Sequence, residues 1–191
     1  MPLFTAHADA EVIVDGFDFS VYRTIVDVAG GRGVLLAQIL RRNPGARGLL
    51  FNVPAVIDSA RLSIPRALGD RLELASGDFF RAVPAGGDLY ILKNILHDWS
   101  NADALKILIT CRQAMAPQAR LLIIEHLVCA PNERCAGKVA DVQMMVRTGG
   151  RNRSIAELSQ LLTAAGFQEP VAHPTTAGPG LLLASLTEQT Q

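Results

Sequence analysis

The sequence predicts an α/β fold built on a largely parallel sheet, and three observations carry that expectation. Short β-branched or apolar runs alternate with longer stretches of helical spacing. One run ends in the glycine-rich stretch VDVAGGRG (26–33), a turn that lets backbone approach a neighbour closely. Each of the first five runs ends in glycine or a polar residue, and ligands of an open parallel sheet bind beyond the carboxyl ends of its strands.

Residues 1–22 fit the alternation least and read as a helical lead-in. TIVDV (24–28) is the first strand. From about Gly33, Val34, Leu35, Ile39 and Leu40 recur at helical spacing until Asn43-Pro44 stops the helix. GLLFNV (48–53), closed by Pro54, is the second strand, with a helix from about Ala55. RLELAS (71–76) is the third and ends in Gly77-Asp78. DLYILKNIL (88–96) is the fourth and runs into HDW. Ser100 or Asn101 caps a helix over roughly 102–116, which Pro117 ends. LLIIE (121–125) is the fifth strand. A helical pattern covers 138–146 and breaks at Thr148-Gly149-Gly150. Ser154 and Glu157 stand at capping-box spacing before a helix that runs to Ala165, with Gly166 as its C-cap. Strand-like runs near 170–173 and 181–186 flank the turn TTAGPG and complete a seven-stranded expectation.

Composition narrows the function classes. The chain of 191 residues fits one domain, and 49% hydrophobic against 19% charged residues supply one well-buried core. Lys plus Arg (18) equals Asp plus Glu (18), so the basic excess that nucleic acid or an anionic membrane surface requires is missing. Neither partner is expected. The apolar runs are too short to span a bilayer. Cys111, Cys129 and Cys135 form no CxxC pair, and MPLFTAHADA is not a secretory leader, so the expected location is cytoplasmic.

The glycine turn does not match a dinucleotide fingerprint. Counting from Gly31 gives Gly31, Gly33 and then Leu36 where a third glycine belongs, and the second strand ends at Asn52 instead of an acid. No Gly-Lys-Ser/Thr follows, so it is not a phosphate loop. A nucleoside ligand without a pyrophosphate fits better; a tight turn with no ligand is the plain alternative. His97 follows a strand end, and its ordinary pKa of about 6.5 suits a proton acceptor near neutrality. It can equally cap a helix or pack beside Trp99, with Asp98 as an N-cap or surface charge. Glu125 closes an apolar strand and needs a partner there: either an N–H of His97 or an arginine such as Arg120. His126, Cys129 and Cys135 are irregularly spaced and lack a second ligand pair, so no metal is expected. Met144 and Met145 read as core, or as contacts to a flat apolar ligand.

VDVAGGRG, LLFNVPAVI, GDFF, LKNILHDW, IIEHLV and TGGRNRSIAELSQLLTAAGF occur in the order seen in class I S-adenosylmethionine-dependent O-methyltransferases. From about residue 17 onward the chain resembles the group that includes plant caffeic acid and bacterial antibiotic or carotenoid O-methyltransferases. The resemblance implies a Rossmann-like, doubly wound, mostly parallel seven-stranded sheet with helices on both faces over residues 23–191. It implies S-adenosylmethionine as cofactor, S-adenosylhomocysteine as product and no metal. The substrate class it implies is a small hydroxylated molecule, phenolic, aromatic or polyketide-like.

The resemblance also assigns roles. Gly30, Gly31 and Gly33 cradle the methionine part of the cofactor, with Asp27 nearby. Asn52 faces the ribose, Asp78 and Phe79 hold the adenine, and Lys93 lies near the reacting end. His97 is the general base, with Asp98 beside it and Glu125 holding it in place; Met144 and Met145 are candidate substrate contacts. Three positions depart from the family: Ala29 replaces a glycine, Asn52 an aspartate, and Asn152 a glutamate that flanks the histidine in plant members. Relatives carry an N-terminal helical domain that builds the dimer. It is expected to be absent here, which leaves a homodimer conditional on it. The alternative function is a truncated or degenerate fold that binds cofactor or a partner without methylating. A nicotinamide oxidoreductase is disfavoured by Leu36 and Asn52.

Overall fold

A computed structural model describes residues 6–128, 150–173 and 179–187. Strands β1 (Thr24–Val28), β2 (Arg47–Asn52), β3 (Leu72–Ser76), β4 (Leu89–Lys93) and β5 (Arg120–Glu125) pair in parallel. Strands β6 (Val171–His173) and β7 (Gly180–Ser185) add antiparallel to the β5 edge, giving the order β3-β2-β1-β4-β5-β7-β6. The sheet is thus mostly parallel and seven-stranded, as expected. The chain winds outward from β1 to β3, then returns to lay β4 against the other side of β1. The crevice between the ends of β1 and β4 is the topological switch point.

Both faces are covered, which explains why β4 and β5 read as unbroken apolar runs: Leu89 to Leu92 and Leu121 to Ile124 are fully buried. Helices α1 (Ala6–Gly16), α2 (Val34–Arg42) and α3 (Pro54–Ser63) pack on one face with Ile25, Leu50, Ile91 and Ile124. Helices α4 (Asn101–Ala114) and α5 (Ile155–Ala164) pack on the other with Val26, Val28, Leu92 and Ile123. The lead-in helix α1 therefore belongs to the core, contributing Ala10, Ile13 and Val14 beside Leu36, Ile39 and Leu40 of α2. Among the described residues no helix is long and apolar enough to cross a membrane.

Leu36, the residue in place of the third dinucleotide glycine, has an explanation here. A Cβ on Gly48 of β2 would fall 2.8 Å from Leu36 Cδ1. The close approach of helix and strand is retained, with the bare glycine moved from the helix to the strand.

Several element ends shift from expectation by a residue or two, among them the helix expected over 102–116, which runs Asn101–Ala114, and other differences have a clear cause. β2 stops at Asn52 because Val53 is already the N-cap of α3, and Pro54 opens that helix. A 3-10 turn (Arg66–Arg71) precedes β3. β4 ends at Lys93, short of the predicted 96, because Asn94 adopts φ 55 and the chain turns into a 3-10 segment over Leu96–Asp98. Ile95 and Leu96 are apolar because they pack into the second core, not because they extend the strand. Ser100 caps α4, and Ser154 with Glu157 forms the full capping box of α5. The predicted helix over 138–146 lies outside the described residues.

Candidate active site

The turn after β1 folds back over its own strand. A Cβ on Gly30 would lie 2.2 Å from Asp27 Oδ2, so only glycine fits above that carboxylate. Ala29, Gly31 and Gly33 have φ of 57, 59 and 74, three left-handed positions within one short turn. Asp27 is 1% exposed, and neither of its oxygens has a hydrogen-bond partner among the described residues. Burial pushes its carboxyl up to about 7, against the opposing pull of the Lys93 charge. A cleft of about 320 Å³ opens here, lined by Asp27, Ala29, Gly30, Gly31, Lys93 and Asn94 among others. A buried acceptor without a donor is costly in isolation. A cationic or N–H donor entering the cleft would satisfy it.

The neighbouring strand ends supply polar and aromatic groups. Asn52 accepts the Val53 N–H on Oδ1 at 2.8 Å. Asp78 accepts the Phe80 N–H on Oδ1 at 2.9 Å, with Arg81 3.8 Å from its other oxygen. Phe79 and Phe80 pack edge-on against Trp99 at 5.9 and 4.8 Å, joining the GDFF turn to the HDW turn. Lys93 Nζ stands 3.7 Å from Oδ2 of Asp9 on α1, and both side chains are largely buried. Sequence reasoning missed Asp9. The available signal was its place four residues before Ile13, on the buried face of α1.

The HDW turn resolves the alternatives for Glu125. Its Oε2 lies 2.7 Å from His97 Nδ1, while Oε1 accepts the backbone N–H groups of Ile95 and Leu96 at 3.0 and 2.8 Å. Arg120 instead donates to the carbonyls of Gln118 and Ala119. With Nδ1–H donating to the carboxylate, Nε2 of a neutral imidazole is the free acceptor. Asp98 Oδ1 lies 3.6 Å from that nitrogen. Burial alone would depress the imidazole pKa, but the hydrogen bond and charge of Glu125, joined by Asp98, hold it above its ordinary value.

A second residue missed in the sequence closes the turn. Arg153, 3% exposed, donates to the carbonyls of Leu96 and Trp99 at 2.6 and 2.8 Å and to Asn101 Oδ1 at 3.0 Å. Asn152 is buried beside it. The structure thus gathers Asp27, Gly30, Gly31 and Lys93 in one cleft and His97, Asp98 and Glu125 in one cluster. Asp78 and Phe79 sit in a separate turn linked to that cluster through Trp99. Met144, Met145, Cys129 and Cys135 lie outside the described residues.

Residues 6–168 match the family model of the O-methyltransferase domain. A phenazine O-methyltransferase of Lysobacter antibioticus is 41% identical over 170 residues, covering 88% of this chain and 50% of the relative. An O-demethylpuromycin-O-methyltransferase of Streptomyces alboniger is 43% identical over 176 residues, covering 90% and 46%. A methyltransferase of calicheamicin biosynthesis, solved in an SAH-bound form, superposes with a TM-score of 0.87 at 34% identity, over 95% of this chain and 54% of that one. The chain spans about half the length of the curated relatives it matches.

Proposed function

This chain belongs to the O-methyltransferase domain family, and from that premise we propose that it transfers a methyl group from S-adenosylmethionine to a hydroxyl of a small phenolic, aromatic or polyketide-like molecule, with His97 as general base. The observation that carries this reading is the His97–Glu125 pair at the carboxyl ends of β4 and β5, joined through Ile95 to a cleft lined by Asp27, whose carboxylate has no hydrogen-bond partner among the described residues. The phenazine and O-demethylpuromycin methyltransferases support a small organic acceptor. The SAH-bound structural relative supports the cofactor.

The residues fit that cofactor. Asp27 and the turn of Gly30, Gly31 and Gly33 would hold its methionine portion, Asn52 its ribose, and Asp78 with Phe79 its adenine. Lys93 would lie near the reacting end, and Met144 and Met145 would face the acceptor. When bound, the cofactor supplies an electrophilic methyl group on a sulfonium. The chain then has two tasks: to align the acceptor oxygen and to remove its proton. A phenol has a pKa of about 10, so proton removal at neutral pH needs a base within roughly 3 Å. His97 takes the proton on Nε2. Glu125 keeps Nδ1 protonated, aims the ring and stabilises the imidazolium that forms.

Calorimetric titration with S-adenosylhomocysteine and, separately, NAD tests the ligand class. Binding of NAD but not S-adenosylhomocysteine overturns the reading. A panel of phenols then tests transfer with the native protein and His97→Ala. The variant is expected to bind cofactor normally and to lose about 10²- to 10⁴-fold in turnover. Unchanged turnover removes His97 as the base.

A further inference from the structure

Resting on the reading of His97 as base, we propose that Arg153 is its positioning residue: the guanidinium grips the turn that carries the imidazole and holds it in register with Glu125.

The turn cannot hold itself. Leu96–Asp98 is a single 3-10 segment of three residues, a conformation with poor hydrogen-bond geometry and little cooperativity. The Trp99 N–H reaches Leu96 O only at 3.2 Å. Arg153 supplies two further donors to the turn and one to the helix after it from one planar group. Nη1 reaches Leu96 O at 2.6 Å, one residue before His97, and Nη2 reaches Trp99 O at 2.8 Å, two residues after it. Nε meets Asn101 Oδ1 at 3.0 Å, at the first turn of α4.

The same residue is anchored on the Glu125 side. The Arg153 carbonyl accepts the N–H of Val128 at 3.1 Å, three residues beyond Glu125. The segment leading to Arg153 also presses on the turn, for a Cβ on Gly150 would lie 2.0 Å from His97 O. One residue therefore spans the two strand ends whose side chains must meet at 2.7 Å. A displacement of a few tenths of an ångström weakens such a bond, and about 1 Å abolishes it. Lysine cannot replace this grip, because it offers a point charge where three acceptors require a rigid fork. The charged and titratable groups around His97 are Glu125 from β5, Asp98 from its own turn, Arg153 from the segment before α5, and His126 beyond β5. Arg153 is the fixed cation among them.

The test uses Arg153→Lys, Arg153→Gln and Asn101→Ala in the full chain, with three readouts. These are S-adenosylhomocysteine affinity by calorimetry, kcat against pH, and the His97 ring-proton titration by NMR, assigned with His97→Ala. Both Arg153 variants are expected to keep the affinity within about twofold and to lose at least about tenfold in kcat. Arg153→Lys keeps the charge but not the fork, so the imidazole slips from Glu125, whose hydrogen bond and charge raise its pKa, and the His97 titration midpoint is expected to fall. In Arg153→Gln the loss of the guanidinium charge opposes that fall, so kcat is its readout. Asn101→Ala, which leaves the guanidinium intact but loosens it, is expected to lower kcat severalfold. A folded Arg153→Lys protein with native kcat and an unmoved midpoint overturns the proposal. So does a loss of affinity that matches the loss of kcat. If Arg153→Gln does not fold, native kcat in both Arg153→Lys and Asn101→Ala overturns it. Should His97→Ala retain turnover, the base assignment fails by itself, and the NMR titration still reads the coupling of Arg153 to the imidazole.

Discussion

Glu125 Oε2 lies 2.7 Å from His97 Nδ1, and the pair joins the ends of β4 and β5 across neighbouring strands. The contact selects one tautomer and places the ring's free lone pair on Nε2. It also makes the imidazole a stronger base than it would be in water.

That gain in basicity is testable through Glu125→Gln. In the native protein the imidazole pKa is raised, so the neutral, proton-accepting form grows in only as pH passes above the ordinary value of about 6.5. The amide can still accept a hydrogen bond but carries no charge, so the rising limb of kcat against pH should move to lower pH. The plateau should fall by roughly 10- to 10²-fold as the imidazolium loses its partner. The stability linkage has the matching sign. A raised histidine pKa contributes stability that is complete below the unfolded pKa and lost as pH rises through the folded one. Glu125→Gln should remove that dependence. A limb that stays in place or moves to higher pH would contradict the assignment.

Asp27→Asn separates the two consequences of burying a carboxylate that has no hydrogen-bond partner among the described residues. The folded pKa of about 7 stands above the ordinary 3.8, so this group stabilises the fold at low pH and loses that contribution as pH rises through about 7. The isosteric amide never ionises. Thermal melts should show the variant more stable than the native protein at pH 8, with a flatter dependence between about pH 4 and pH 7. On the proposed reading, in which Asp27 meets the ammonium of the cofactor, it should also bind S-adenosylhomocysteine more weakly, by on the order of tenfold. An unchanged affinity would separate Asp27 from the cofactor.

Ala29→Gly addresses the φ of 57 that alanine is made to adopt after β1. The left-handed region costs a non-glycine residue roughly 1–2 kcal/mol, whereas glycine costs roughly 0.5–1 kcal/mol in chain entropy. The difference favours the variant by about 0.5–1 kcal/mol, a rise in Tm of about 1–4 °C for a domain of this size. The backbone bond from Ala29 N–H to Phe51 O, 2.7 Å, remains available to it. A lower Tm in a differential scanning experiment would refute the strain argument.

Much of the fold is legible because its signals are local. Alternation of apolar runs and helical spacing, Pro54 at a helix start, and Ser154 with Glu157 at a helix head each need only a few neighbouring residues. Where a boundary depends on distant groups, local reading errs. β4 looked like a strand through residue 96, but Glu125, 29 residues beyond Leu96 in the chain, takes the N–H groups there and turns the backbone aside. Asp9 and Arg153 were overlooked for the same reason. Asp9 is one of three acids in α1 and Arg153 one of three arginines between 147 and 153, and residue type alone does not show which of them a distant segment will bury.

The sequence by itself determined the α/β class, the glycine turn after the first strand and the set of strand-end residues from which a site could be built. It also left Glu125 with two partners, His97 or Arg120, and left Asp27 as one acid in an apolar strand. Tertiary structure decided both. Hydrogen bonds of 2.7 to 3.0 Å select His97 and its turn over Arg120, and the folded-back turn leaves Asp27 only 1% exposed at the cleft. The physical reason is that periodicity and capping act over one or two turns of chain, whereas desolvation and charge pairing depend on which distant segments the packed core brings within a few ångströms.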